Sequence, residues 1–204
     1  MFRQDEAEPA SITQQIDAGL RYRLMTGVTF IAGVFGLKKP FFDRDTANVF
    51  REIGNVRHRG AELSLSGQVM PGLTVVAGAM LLQPRITILT ASAGTFGRVP
   101  IARPGRNVRL TAQYGPKSWR GFSINGQINH EGLEYANRAN TLRMPSLTTL
   151  DLGARYTFQI YGHTISARSQ IQNVPNRYAW SVSPSGAFSA NATRRVVATL
   201  VTDF

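Results

Sequence analysis

Apolar and polar residues exchange places at every second position along nearly all of this chain. Near the start, Ile12, Gln14, Ile16, Ala18, Leu20 and Tyr22 share one parity, and Thr13, Gln15, Asp17, Gly19, Arg21 and Arg23 share the other. The same alternation sets Ala61, Leu63, Leu65 and Val69 against Glu62, Ser64, Ser66 and Gln68, and Val108, Leu110, Ala112 and Tyr114 against Asn107, Arg109, Thr111 and Gln113. It returns with Phe122, Ile124 and Ile128 against Ser123, Asn125, Gln127 and Asn129, with Leu150, Leu152, Ala154, Tyr156 and Phe158 against Asp151, Arg155 and Thr157, and with Ile165, Ala167 and Ile171 against Ser166, Arg168 and Gln170. The final segment, Ala190–Phe204, alternates to its last residue, with Val196, Ala198, Leu200 and Thr202 opposing Arg195, Val197, Thr199, Val201 and Asp203. A period of two puts such sets on opposite faces of a strand. Two segments alternate less cleanly, Thr26–Leu37 and Leu73–Gln83, where Ile31, Phe35 and Val76 take the polar parity. No stretch sustains a helical period.

Nine strands result, joined by connections that alternate in length. Short ones are Leu24–Thr26, Met70–Gly72, Gly115–Arg120 and Gln159–Gly162; long ones, rich in Pro, Gly and Arg, are Lys38–Asn48, Pro84–Arg103, Tyr135–Pro145 and Ser183–Ser189. This matches an all-β, antiparallel, up-and-down transmembrane barrel with short periplasmic turns and long external loops. Aromatics gather at both ends of the strands: Tyr22, Tyr114, Trp119, Phe122, Tyr156, Phe158 and Phe204 beside the short turns, and Phe41, Phe42, Phe50, Tyr135, Tyr178, Trp180 and Phe188 beside the long loops. Such girdles mark the two interfaces of a bilayer. A soluble sandwich also alternates, but strands of about 10–14 residues and this placement of aromatics favour the outer membrane.

Composition adds two constraints. The absence of cysteine excludes disulfides and thiolate metal sites, and His58, His130 and His163 lack ligand spacing. A net charge of +11 points to an anionic partner. No apolar run reaches the ~18–20 residues of a membrane helix, and Met1–Glu8 is acidic and polar, unlike a cleavable export signal. No nucleophile or base constellation is visible; Asp151 and Glu62, on separate strands, read as structural hydrogen-bonding groups rather than catalysts.

Five segments carry a family resemblance. Gly54-Asn55-Val56-Arg57-His58-Arg59-Gly60-Ala61-Glu62-Leu63, with Pro71-Gly72-Leu73 after it, resembles the "G-x-V-R-S-R-G-V-E" segment of TonB-dependent siderophore receptors. Val99-Pro100 with Pro104-Gly105-Arg106-Asn107, Leu150-Asp151-Leu152-Gly153-Ala154-Arg155-Tyr156, Gln172-Asn173-Val174-Pro175-Asn176-Arg177-Tyr178, and Arg194-Arg195-Val196 through Phe204 resemble later motifs of the same family in the same order. His58-Arg59 departs from the family's Ser before the Gly, Arg194 stands where Pro is common, and Thr202 occupies a usually apolar position. The resemblance spans essentially the whole chain but only the C-terminal part of the family's architecture.

What the resemblance implies is a single partial domain, residues 1–204, supplying the last nine strands of a 22-stranded barrel without its plug. Nine antiparallel strands would not close on themselves, and open edges in lipid are costly, so the expectation is a fragment that does not function alone. The implied activity is uptake of ferric siderophore across the outer membrane of a Gram-negative bacterium, energised by TonB–ExbB–ExbD through the plug; no protein-held cofactor or metal, no enzyme activity and no nucleic-acid partner are expected. Phe41, Phe42, Arg44, Tyr135, Arg138 and Trp180 are the candidate ligand contacts in the loops. Arg21, Arg23, Arg109, Arg155, Arg168 and Arg195 are the candidate lumen-facing cations, facing plug carboxylates or drawing in an anionic complex. Phe204, Leu200 and Val196 read as the C-terminal signal for the barrel assembly machinery, with outer-membrane lipid around them. Two other classes compete: a passive porin-like or structural barrel, and a soluble basic β-domain binding nucleic acid.

Overall fold

The computed structural model describes residues 10–89 and 94–202. Nine strands form one antiparallel meander: β1 (Gln14–Met25), β2 (Val28–Arg44), β3 (Phe50–Met70), β4 (Leu73–Ile88), β5 (Arg106–Tyr114), β6 (Phe122–Glu131), β7 (Leu147–Ile160), β8 (His163–Gln172) and β9 (Arg195–Thr202). Each pairs only with its neighbours in the chain, leaving β1 and β9 as edges. Two-residue turns close three of the hairpins. At Tyr161-Gly162 both residues have positive φ, 49° and 82°, the backbone that matches the right-handed twist of the flanking strands.

The register confirms the two faces. One row runs Tyr22–Phe30–Leu65–Ala77–Leu110–Ile128–Leu150; the adjacent row on the other face runs Arg21–Ile31–Ser64–Gly78–Arg109–Asn129–Thr149. Ile16, Leu20, Val34 and Leu81 of the apolar face are all more than half exposed. Among the described residues no second sheet covers them, so the buried core of a soluble sandwich is missing there and the apolar wall is built to face lipid. Aromatic contacts tie the turn end together: Tyr114 packs on Trp119 (5.0 Å between centroids), Trp119 on Phe122 (5.6 Å), and Tyr156 on Phe158 (5.3 Å).

Several expected boundaries move. β2 runs on to Arg44 and β4 through Pro84 to Ile88, so Lys38–Asn48 and Pro84–Arg103 are not wholly loop. β2 and β3 pair past Pro40, and Asp45 caps the tip by accepting from the N–H groups of Ala47 and Val49 (both 2.9 Å) while pairing with Arg51. The last strand begins at Arg195 rather than Ala190; Ala190 closes a small hairpin formed by Trp180–Val182 and Phe188–Ala190. Asn173 explains the displacement. Its amide bonds the carbonyls of Arg177 (2.8 Å) and Ala192 (3.1 Å), its carbonyl accepts from Arg177 N–H (2.9 Å), and Asn176 accepts from Arg194 N–H (2.8 Å). These bonds hold the chain in an irregular path up to Arg194. Phe204 lies outside the described residues.

Candidate functional site

The extended β2–β3–β4 sheet rises above the band expected for lipid, and the loops between later strands fold onto its polar face. Prolines at 100 and 104 lack a donor N–H and keep residues 94–105 from becoming a regular strand. The segment is still laced to both neighbours. Ile86 N–H donates to Arg98 (2.7 Å) and Leu82 N–H to Gly105 (2.8 Å) on one side; Gly97 N–H donates to Arg138 (2.7 Å) and Ala102 N–H to Tyr135 (3.0 Å) on the other. Asn140 acts as a detached strand partner for Val99: its amide oxygen accepts from Val99 N–H (2.9 Å) and its amide nitrogen donates to Val99 C=O (2.8 Å). A small core of Ala136, Met144 and Val182, with Ala102 against it, holds the loops together.

Between these loops and β2–β4 lies a cleft of about 290 Å³. Its floor is apolar, with Val56 and Ile86 buried, and Phe41 meets Phe96 edge-on at 5.6 Å. Its rim carries Lys39, His58, Arg103 and Arg138 against one carboxylate, Asp43. Arg138 Nη1 is 2.7 Å from Asp43 Oδ2, and the guanidinium lies 5.9 Å from the centre of the Phe96 ring. An aromatic floor under a cationic rim suits a planar, anionic guest.

Of the six loop residues singled out in the sequence, Phe41, Phe42 and Arg138 line this cleft together. Phe41 therefore belongs to the interior and not to a lipid girdle. Arg44 sits at the β2–β3 tip, donating to Asn48 (3.2 Å); Tyr135 lies under Arg143, 5.7 Å from ring centre to guanidinium; Trp180 packs on Tyr178 at 6.0 Å. The sequence reading missed Lys39, Asp43, His58, Phe96 and Arg103. No regular alternation marks Lys39–Asp43 as strand, and the pairing there is interrupted by a bulge between Phe41 and Phe42, so local pattern offered no signal for these residues.

Arg21, Arg23, Arg109, Arg155, Arg168 and Arg195 share one face by register, and it is the face onto which the loops fold. Arg155 and Arg168 are direct cross-strand partners; Arg109 donates to Asn129 (2.8 Å) and Arg195 to Gln172. No salt bridge joins any of the six to a carboxylate among the described residues. Asp151 plays the structural part expected of it, accepting from Asn173 N–H (2.8 Å). Leu200 and Val196 sit on the apolar face of the edge strand, across from Ala167 and Ile171. Among the described residues no cluster of His, Cys, Asp and Glu could hold a metal ion.

In the small hairpin that pairs Glu134–Tyr135 with Arg143–Met144, outside the nine-stranded sheet, burial pushes the Glu134 carboxyl above its usual range. A backbone hydrogen bond at Val182 pulls it back, and the nearby Glu131 adds to the rise.

Comparison with known proteins agrees with this architecture. The family described as "TonB dependent receptor-like, beta-barrel" matches residues 10–174. The ferrichrome receptor FcuA of Yersinia enterocolitica is 32% identical over 157 residues, which is 76% of this chain and 21% of that protein; the ferrioxamine receptor of the same species is 28% identical over 162 residues, 78% and 22% of the two. The chain thus spans about a fifth of these relatives. Among solved structures, the ferric preacinetobactin receptor BauA of Acinetobacter baumannii superposes with a TM-score of 0.84 at 28% identity, covering 94% of this chain and 29% of that one. The siderophore receptor PiuA of the same species gives 0.78 at 18% identity, with 94% and 28% covered, a likeness of fold alone. Alternating strands, a lipid-facing apolar wall and loops folded over a polar face agree with these matches, and the chain belongs to the TonB-dependent receptor-like β-barrel family of the outer membrane, a family of transporters and not of enzymes.

Proposed function

We propose that this chain supplies nine strands and the ligand-gathering loops of a receptor that takes up a ferric siderophore. The observation that carries the reading is the aromatic-floored, cation-rimmed cleft at the external end, in a chain whose relatives include receptors named for ferrichrome, ferrioxamine and ferric preacinetobactin. Phe41, Phe42 and Arg138 make the first contacts with the complex, with Phe96 beneath them; Arg44, Tyr135 and Trp180 contribute as the loops close. The iron arrives inside its ligand, so the protein needs no metal site of its own.

The residues 1–204 form one partial domain, and the complete barrel has 22 strands around a plug. Nine antiparallel strands end with both edges running the same way, so an odd number of further strands is needed to close every ladder. The plug fills the face that carries Arg155 and Arg168, whose facing guanidinium groups call for carboxylates opposite them. Its movement, driven by TonB–ExbB–ExbD, opens the path inward.

The test is uptake of radiolabelled iron by cells producing the membrane-assembled receptor, offered ferrichrome, ferrioxamine and ferric catecholate complexes in turn. One of them should be accumulated only when TonB is present. Arg138→Gln and Phe96→Ala should each raise the concentration needed for half-maximal binding about tenfold, equivalent to ~1.4 kcal/mol. TonB-independent accumulation, as through a passive pore, or binding indifferent to both substitutions, would overturn the reading.

A further inference from the structure

The outward face of β2–β4 changes character abruptly along its length. From the turns upward it carries Phe30, Ala32 and Val34 on β2, Leu65, Leu63 and Ala61 on β3, and Ala77, Ala79 and Leu81 on β4. The next two rows are Gly36–Arg59–Gln83 and Lys38–Arg57–Arg85. Lys38, Arg57, Arg59 and Arg85 are all exposed, and none forms a salt bridge among the described residues. Like charges directly opposite one another across strands are destabilising, so a row Lys38–Arg57–Arg85 needs anions from outside the sheet.

Their height says where those anions are. The four cations lie ten to thirteen residues from the turn-side strand ends at Val28, Met70 and Leu73. At ~3.3 Å per residue and a tilt of ~40°, that is roughly 25–33 Å above the periplasmic turns, at the outer edge of an apolar band about 25 Å tall. Beside them a groove of about 300 Å³ is lined on this face by Gln14, Ile16, Gly36, Lys38, Arg57 and Arg59. Gly36 offers no side chain, and the space its Cβ would take lies 3.5 Å from a methyl of Ile16, so the groove is apolar below and cationic above.

We propose that this patch binds the phosphate groups of an outer-leaflet glycolipid, a lipid-A-type headgroup, with an acyl chain in the groove over Gly36. A second copy of this chain does not fit the same surface, because a two-fold contact would set cations against cations. Arginine forks match phosphate oxygens in pairs, and the position at the interface supplies the acyl chain with its own solvent. The inference rests on outer-membrane placement and not on which siderophore is carried.

The test uses the complete receptor, purified in detergent, with native mass spectrometry reading retained lipid. The probes are bisphosphorylated lipid A, the same lipid enzymatically dephosphorylated, and inorganic phosphate. The wild-type protein should retain the bisphosphorylated lipid at least tenfold better than the dephosphorylated one, and millimolar phosphate should not displace it. Lys38→Gln/Arg57→Gln/Arg85→Gln should erase that preference while siderophore binding stays intact, since none of the three lines the cleft. The charge-keeping set Lys38→Arg/Arg57→Lys/Arg85→Lys should retain most of it, and Arg57→Gln alone, read in parallel should the triple variant fail to assemble, should cost about threefold. Equal retention of both lipids, ready displacement by free phosphate, or an unaltered preference in the Gln variants would overturn the proposal.

Discussion

Asn140 offers the sharpest test of how the cleft is held. Its side chain supplies both halves of a strand-like pairing to Val99, at 2.9 and 2.8 Å, in a partly buried setting. Replacing it with Ala leaves Val99 N–H and C=O without partners, at about 1–3 kcal/mol for each buried group left unsatisfied. Asn140 also has φ of 57°, where Ala adds roughly 1–2 kcal/mol of backbone strain. Asn140→Gly removes the side chain without that strain and isolates the hydrogen bonds. Because both bonds are only part-buried, each group falls in the lower part of that range, and for Asn140→Gly the expected loss is about 2–4 kcal/mol of local stability, which raises the opening frequency of residues 94–105 roughly 30- to 1000-fold. Hydrogen exchange on the membrane-assembled protein reads this directly at the Val99 and Gly97 amides, while amides of β6 and β7 serve as controls. If Val99 in Asn140→Gly exchanges at the wild-type rate, the loop is held by something other than this pairing and the account of the cleft fails.

Gly60 is the second target. A Cβ there would lie 2.5 Å from the Phe35 ring and 2.6 Å from the Leu81 carbonyl oxygen; the ring can turn, but the backbone oxygen is fixed in the sheet. Gly60→Ala should lower barrel stability by about 1–3 kcal/mol, seen as a lower temperature for loss of the folded band on a heat-modifiability gel, and an unchanged temperature would refute the close approach. Glu134 predicts a pH response. Because its carboxyl is raised in the folded loop, the folded state holds the proton more tightly than the unfolded chain. Loop order is therefore greatest below the ordinary carboxylate range and declines as pH rises through the raised value. Exchange rates of residues 132–146, corrected for intrinsic chemistry, should show that decline, and Glu134→Gln should abolish it; a decline of equal size in the variant would assign it elsewhere.

The strand plan was legible because its signal is local. Parity along Leu150–Phe158 or Phe122–Asn129 names a face without reference to any other residue, and the register then places Arg155 beside Arg168 as the alternation implies. The site was harder to read because it is made by contacts distant in sequence. Nothing local tells that Phe96 will meet Phe41, or that Arg138 will reach Asp43, since both depend on Asn140 bridging forty-one residues to Val99. The strand ends failed for a related reason. Pro40 and Pro84 look like stops, yet each sits in a ladder above the lipid band, where Pro40 opposes Asn55 and His58 opposes Pro84. The start of β9 shifted because Asn173 and Asn176 capture backbone groups around Arg177 and Arg194, a role that neither spacing nor hydropathy discloses.

Every ladder in this sheet joins consecutive members of the nine-strand meander, with only small hairpins set into the connections after β6 and β8. A topology of that kind asks for no long-range loop closure, so each hairpin can be laid against the one before it as a separate kinetic step. It also sets what heredity can do with the molecule. Duplicating or deleting a whole hairpin preserves strand direction, inside–outside parity and every other ladder, so circumference changes in units of two strands while the remaining wall keeps its chemistry. Loss of a single strand, by contrast, reverses the direction of all that follows. Growth by hairpins is thus the mutational path the sheet tolerates best, and the loops at the external end are free to diversify on a wall that is inherited as a repeating unit.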